Sequence, residues 1–206
     1  LSVLVGRSGC GKSTLLKMLA GKESPDSGEI LLPHGWHAAL LSPEPYVITW
    51  TNVRQNVAMA SGVGRTPEER YEHAMEYVKL VGLEDYADLS PVELSTGMKQ
   101  RLGLARVLAS QAEVLLMDEP FASLDFLTRA ELQHQVLQLQ QKLPRTILLV
   151  THQLDEALLL GQSITVMHPL GKTEAFDLSH LSYPRDLENG ELKDLRRAVT
   201  EACRKD

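Results

Sequence analysis

Two apolar patterns alternate along this chain. Residues 1–5 are almost wholly apolar and stop at Gly6, which predicts a short strand buried on both faces. Residues 13–20 predict a helix that Gly21 ends. Pro25-Asp26-Ser27-Gly28 is a turn, followed by an expected short strand at 29–32 and a weaker strand candidate at 37–41. From Pro43 to about Ser110 the period becomes helical, with helices at 51–60, 67–81 and 97–110. In the second of these, Tyr71, Met75, Val78 and Val81 share one face. Strands then return at 114–117, 146–150 and 164–167, interleaved with helices at 124–143 and 154–160. Leu132, Val136, Leu139 and Leu143 line one face of the longer helix. The tail from Gly171 is polar, with one helix expected near 191–202.

Strands alternating with helices predict an α/β fold around a mostly parallel, buried sheet. The change of period divides a single domain, 1–206, into a core of 1–44 and 111–170, an inserted helical subdomain at 45–110, and a tail at 171–206. No repeat or low-complexity segment interrupts it. With 206 residues, 43% of them hydrophobic, the chain can bury the core of one domain.

Charge and cysteine content narrow the function classes. The 21 basic residues are outnumbered by 27 acidic ones, for a net charge of −6, and no clustered basic face points to nucleic acid. Cys10 and Cys203 make neither a disulfide framework nor a metal-spaced pair, which fits a reducing, cytosolic setting. No apolar run approaches the roughly 18–20 residues that a membrane helix needs. The apolar start runs directly into a glycine loop and is not a signal peptide; because the chain begins without Met, an upstream segment is expected.

Gly6-Arg7-Ser8-Gly9-Cys10-Gly11-Lys12-Ser13, followed by Thr14, matches the phosphate-loop pattern G-x-x-x-x-G-K-[ST]. Its place after a strand and at the start of a helix is the context that gives the pattern meaning. Glycines let backbone N–H groups converge on phosphate oxygens, and the helix N-terminus adds partial positive charge. Lys12 supplies a point charge for the β- and γ-phosphates, and Ser13 a hydroxyl ligand for Mg2+. The apolar run 114–117 ends in Asp118 and Glu119. Alone, that would be an ordinary acidic strand end. Downstream of a phosphate loop, it reads as Asp118 holding Mg2+ through its water shell and Glu119 polarising an attacking water.

Upstream of Asp118 runs Leu94-Ser95-Thr96-Gly97-Met98-Lys99-Gln100-Arg101. Here the chain resembles the ATP-binding cassette (ABC) ATPases, whose signature is L-S-G-G-Q. Leu94, Ser95 and Gly97 match, whereas Thr96 replaces a glycine and Met98 the glutamine. Taken singly, Ser95 would be a helix N-cap. The resemblance implies that Ser95 and Gly97 bind the γ-phosphate of ATP held by a second subunit. Ala122-Ser123-Leu124-Asp125 resembles the family's dimer-seam loop, and Val150-Thr151-His152 its switch, in which His152 contacts the γ-phosphate and orients Glu119. The six other histidines lack such a context.

Similarity extends from residue 1 to about 198 and is strongest to the importer branch for nitrate, sulfonates and taurine. The residues that carry it are 118–125, Leu127-Thr128-Arg129, Asp155-Glu156-Ala157 and Tyr183-Pro184-Arg185-Asp186. It implies a P-loop NTPase (RecA-like) core, ATP and Mg2+ as ligands, and a homodimer across the ATP sites. It further implies transmembrane permease subunits docked on the helical subdomain, an external solute-binding protein acting indirectly, and a peripheral place on the inner face of the cell membrane. An ABC protein acting on DNA or ribosomes fits less well, given the acidic balance, the single cassette and the absence of long heptad runs.

Three departures stand out. The family's N-terminal antiparallel strands, with the aromatic residue that stacks on adenine, have no counterpart here. The segment 28–43 is short. Aligned through Glu44-Pro45 and Trp50, Pro43 falls where the family has a switch glutamine, and Glu44 is the adjacent carboxylate. A second reading follows: an ATP-gated regulatory module of the same fold that hydrolyses poorly.

Overall fold

The computed structural model describes residues 1–204, Leu170 by its backbone only; Lys205 and Asp206, the end of the expected tail, lie outside the described residues. Six strands form one sheet: β1 (Ser2–Val5), β2 (Ala38–Leu41), β3 (Val114–Asp118), β4 (Thr146–Val150), β5 (Ser163–Met167) and β6 (Thr173–Asp177). Their spatial order is β2-β3-β4-β1-β5-β6. All pairings are parallel except β5 with β6. The chain is the α/β fold with a mostly parallel sheet that the alternating pattern predicts.

The parallel strands are largely apolar because the sheet is covered on both faces there. Alternation sorts their side chains. Leu4, Val114, Leu116 and Val150 pack with Leu16 of α1 (Lys12–Leu19) on one face. Val3, Val5, Leu115, Met117, Ile147 and Leu149 belong to the larger cluster on the other face. That cluster takes in α5 (Phe126–Lys142) through Leu132 and Val136, and α6 (Leu154–Leu160) through Leu158 and Leu160. It also takes in α7 (Gly190–Arg204) through Leu192, Val199 and Ala202.

Helices α2 (Val53–Ser61), α3 (Pro67–Leu80) and α4 (Thr96–Ala109) pack on one another. The first begins at Asn52, whose side chain accepts from Gln55 N while the Gln55 side chain accepts from Asn52 N. Thr66 and Glu69 repeat this capping box at α3, with Pro67 in the first turn. Asn56 joins these helices to the segment leading from β2. Fully buried, it accepts from Ile48 N (2.8 Å) and Arg106 Nη1 (2.7 Å) and donates to Ile48 O (2.9 Å) and Thr51 Oγ1 (2.7 Å).

Two expectations need correction. Residues 29–32 form no strand: Leu31 is 78% exposed, and no described strand pairs with the segment. Three apolar side chains in a row, without a neighbouring ladder, do not make a strand. Conversely, the polar tail contains β6, whose half-buried Glu174 and Phe176 alternate with exposed Thr173, Ala175 and Asp177, as an antiparallel edge strand with one solvated face requires.

Removing the Asn56 side chain leaves the buried Ile48 amide and carbonyl without their side-chain partner and takes an acceptor from half-buried Arg106. Asn56→Ala is expected to lower unfolding free energy by about 2–4 kcal/mol in urea titrations, with an unchanged m-value.

Candidate functional site

The C-terminal ends of β3, β4 and β1 lie side by side, with β4 in the middle. Leu4 and Asp118 both pair with Val150, so the loops that follow them emerge level with one another. Ligands of parallel α/β sheets gather at such carboxyl ends. The segment 6–14, Asp118-Glu119 and Thr151-His152 therefore converge.

The loop after β1 turns tightly. Gly9 and Gly11 have φ of 81° and 103°, left-handed values that residues with a Cβ adopt poorly. At Gly6 the constraint is space, since a Cβ would come within 2.3 Å of Met167 O. Lys12 is buried, and its Nζ donates to the carbonyls of Gly6 (2.8 Å) and Arg7 (2.9 Å), spanning the mouth of the loop. Cys10 Sγ lies 3.7 Å from Lys12 Nζ and close to Gly6, at the base of the loop. Ser13 and Thr14 open α1.

Ser13 shares one cleft, of about 340 Å³, with Asp118, Ser42, Pro43 and Glu44. Its oxygens fit Mg2+, which takes one or two protein carboxylates and fills its octahedron from phosphates and water. The expected switch segment, Pro43 and Glu44, thus borders the two expected metal ligands.

Asp118 is buried at the end of β3, and Glu119 follows with φ of 50°, the one positive value at a non-glycine residue among the described residues. Glu119 N donates to Val150 O (2.9 Å), and Ala122 N to Glu119 O (3.2 Å). Buried Gln100 reaches the same carbonyl at 3.5 Å. His152 Nδ1 is 3.1 Å from Glu119 Oε1. A cradle of N–H groups, a lysine, two carboxylates and an imidazole make a constellation that can bind a polyphosphate and activate water.

Ser95 and Gly97 stand apart from this cluster, at the N-terminus of α4. Ser95 Oγ accepts from Met98 N (3.3 Å), and the nearest neighbour of a Cβ on Gly97 would be Ser123 O, at 3.3 Å. Asp125 caps α5 by accepting from Thr128 N (3.0 Å), and the Thr128 amide and hydroxyl hold its carboxyl below the usual range. Ser95, Gly97 and Asp125 thus border one exposed edge rather than the phosphate loop.

Sequence reasoning missed a buried polar knot beside the site. Glu156 is 4% exposed on α6. Its carboxylate accepts from Thr151 Oγ1 (2.6 Å) and Gln133 Nε2 (3.2 Å) and lies 3.9 Å from Arg129 Nε. Burial pushes this carboxyl up, against the opposing pull of Thr151, Arg129, His152 and Gln133. A carboxylate on the apolar stripe of Leu154, Ala157 and Leu158 was the available signal.

The family model described as "ABC transporter" matches residues 1–122. The chain is 37% identical over 204 residues to an uncharacterised ABC transporter ATP-binding protein of Methanocaldococcus jannaschii, covering 95% of this chain and 76% of that one. It is 42% identical over 177 residues to the taurine import ATP-binding protein of Roseobacter denitrificans, covering 82% of this chain and 65% of that protein. Among solved structures, a dimeric ATP-binding cassette in a post-hydrolysis state, bound to ADP and Pi, superposes with a TM-score of 0.76 at 25% identity, over 86% of this chain and 85% of that one. By family model, by sequence and by fold, the chain belongs to the ABC transporter family as an ATP-binding, ATP-hydrolysing cassette.

Proposed function

We propose that this cassette powers solute import through a separate membrane permease, with two copies closing on two ATP molecules. The observation that carries the reading is the 3.1 Å contact of His152 with Glu119, beside the phosphate loop and at the end of the Asp118 strand. In this reading the N–H groups of 6–14 and Lys12 hold the triphosphate, while Ser13 and Asp118 would hold Mg2+, which would offset charge on the phosphate oxygens when bound. Glu119 takes a proton from water as the water oxygen bonds to the γ-phosphorus, and the bond to the ADP oxygen breaks. His152 orients Glu119 and the γ-phosphate. Ser95, Gly97 and Asp125 of each copy face the ATP of the other, which agrees with their exposed edge outside the chain's own phosphate loop.

The import direction is supported by the taurine import relatives. Permease docking on the helical subdomain is supported by Tyr46, Trp50 and Met59, which are 72%, 78% and 61% exposed. Large apolar side chains in water mark a contact surface. No helix among the described residues is long and apolar enough to cross a membrane, so the permease is a separate partner in this reading, with the cassette peripheral on the cytoplasmic face and an external binding protein acting through it.

Mg-ATP at about 100 times its dissociation constant is expected to stabilise the fold by about 2.7 kcal/mol, read as a melting shift. Lys12→Ala should abolish most of that shift; an equal shift in both proteins contradicts the site. Glu119→Gln should stop hydrolysis and accumulate an ATP-bound homodimer in light scattering. Hydrolysis at the parental rate would remove Glu119 as the base.

The reading as a slow, regulatory hydrolase is favoured by the position of Pro43 in the Ser13–Asp118 cleft, where its ring offers no polar side-chain atom. Pro43→Gln is then expected to raise basal turnover and Glu44→Ala to lower it, both measured by phosphate release. Unaltered turnover in both variants places the switch elsewhere.

A further inference from the structure

One side chain touches both loops that flank the reacting centre. Arg129, on the first turns of α5, donates through Nε to Phe121 O (3.3 Å) and through Nη2 to Leu124 O (2.8 Å). Those carbonyls belong to the turn that follows Glu119. Through Nη1 it donates to Gln153 Oε1 (3.0 Å), in the loop that carries His152. Glu156 completes the connection from the opposite side. It receives the Thr151 hydroxyl at 2.6 Å, and Thr151 Oγ1 in turn receives Gln153 N at 3.0 Å. Gln133, one helical turn beyond Arg129, fills the second carboxylate oxygen of Glu156 at 3.2 Å.

Both Glu156 oxygens accept, which suits an ionised carboxylate, and the guanidinium 3.9 Å away balances it. Apart from the contacts of Gln133 and Arg129 with Glu156, which join α5 to α6, the anchors of this knot lie on two loops. The first, 119–125, holds Glu119 and the edge residue Asp125. The second, 151–153, holds His152. A buried, fully bonded polar network has few alternative arrangements, because each one strands a donor or an acceptor. Separating the two loops would therefore strand several of these donors and acceptors.

We infer that Arg129 and Glu156 are positioning residues that lock the partner-facing loop 121–125 to the His152 loop, so that Glu119 and His152 are aligned only when loop 121–125 is seated. The inference rests on Glu119 and His152 acting as proposed above, and it adds two residues and a route between the exposed edge and the reacting centre. The partners of both residues lie outside the phosphate loop, so in this reading neither contacts ATP. Their effect passes through backbone carbonyls and through Thr151 and Gln153.

Glu156→Gln is the primary variant because it keeps shape and half the hydrogen bonding; Arg129→Lys is the second, and melting temperatures are recorded for both. With the full chain, each is expected to lower kcat about 10- to 100-fold while the ATP dissociation constant, measured by fluorescent nucleotide, stays within about twofold. In a His152→Ala background the further loss should shrink to about twofold or less, since the alignment no longer has a partner to serve. Glu156→Asp should recover part of the rate. Equal losses in both backgrounds indicate a merely structural role and overturn the inference, as does a parental kcat in a folded Glu156→Gln.

An activity-free measurement separates this from failure of the functional reading. Amide hydrogen exchange should accelerate together in 119–125 and 151–153 of Glu156→Gln and remain parental in β1 and α1. Acceleration in one loop alone, or in neither, overturns the inference even if the parent proves unable to hydrolyse ATP.

Discussion

The arrangement of this molecule depends on the hydrogen-bond ladder on both sides of β4. Val150 pairs with Leu4 on one side and with Asp118 on the other, and its carbonyl receives the Glu119 amide. Thr151 N then donates to Leu4 O (3.2 Å). Three loops of unrelated sequence are thereby set level to within the spacing of a peptide unit. What holds that ladder in register is apolar alternation: a slip of one residue would exchange Leu149 with Val150 between two well-filled faces. Core packing and site geometry are therefore one constraint.

Two further polar side chains, buried Asn56 and half-buried Arg185, align the chain by bonding to backbone. Asn56 holds the segment after β2 to the helices. Arg185 collects the carbonyls of Leu158, Leu178 and Leu181, tying the end of α6 to the chain beyond β6, and it stacks on Tyr183 at 4.4 Å. This gives Tyr183-Pro184-Arg185-Asp186 a structural reason that its place in a polar tail conceals. Gly103 allows Pro45 to approach α4 so closely that a Cβ there would meet the proline Cβ at 2.4 Å.

Much of this was legible in the sequence because it is local. The strand, the glycine loop and the helix that follows are contiguous, and so are the apolar run and carboxylates at Asp118-Glu119. The capping boxes at Asn52 and Thr66 needed only a four-residue view; the first starts α2 two residues after the expected 51, and the second starts α3 at Pro67 as expected. What escaped is what depends on distant partners. Residues 29–32 have strand-like composition but no neighbour to pair with, and β6 has weak composition but a neighbour ready in β5. Glu156 and Arg129 lie on different helices, and their meeting is a tertiary fact. Pro43 was assigned through an alignment, and only the shared cleft with Ser13 and Asp118 gives that assignment a spatial meaning.

The left-handed backbone at Glu119 has a consequence of a different kind. A residue with a Cβ held there costs about 1–2 kcal/mol relative to an ordinary helical or extended conformation. Glycine would relieve that strain, and asparagine would tolerate it better. The fold by itself thus favours losing the carboxylate, and a lineage freed from its chemistry would drift toward a more stable, inert relative by a single substitution. Thermal stability is for this reason a poor guide to competence in this cassette, since the most comfortable version of the turn is the one that has given up its acid.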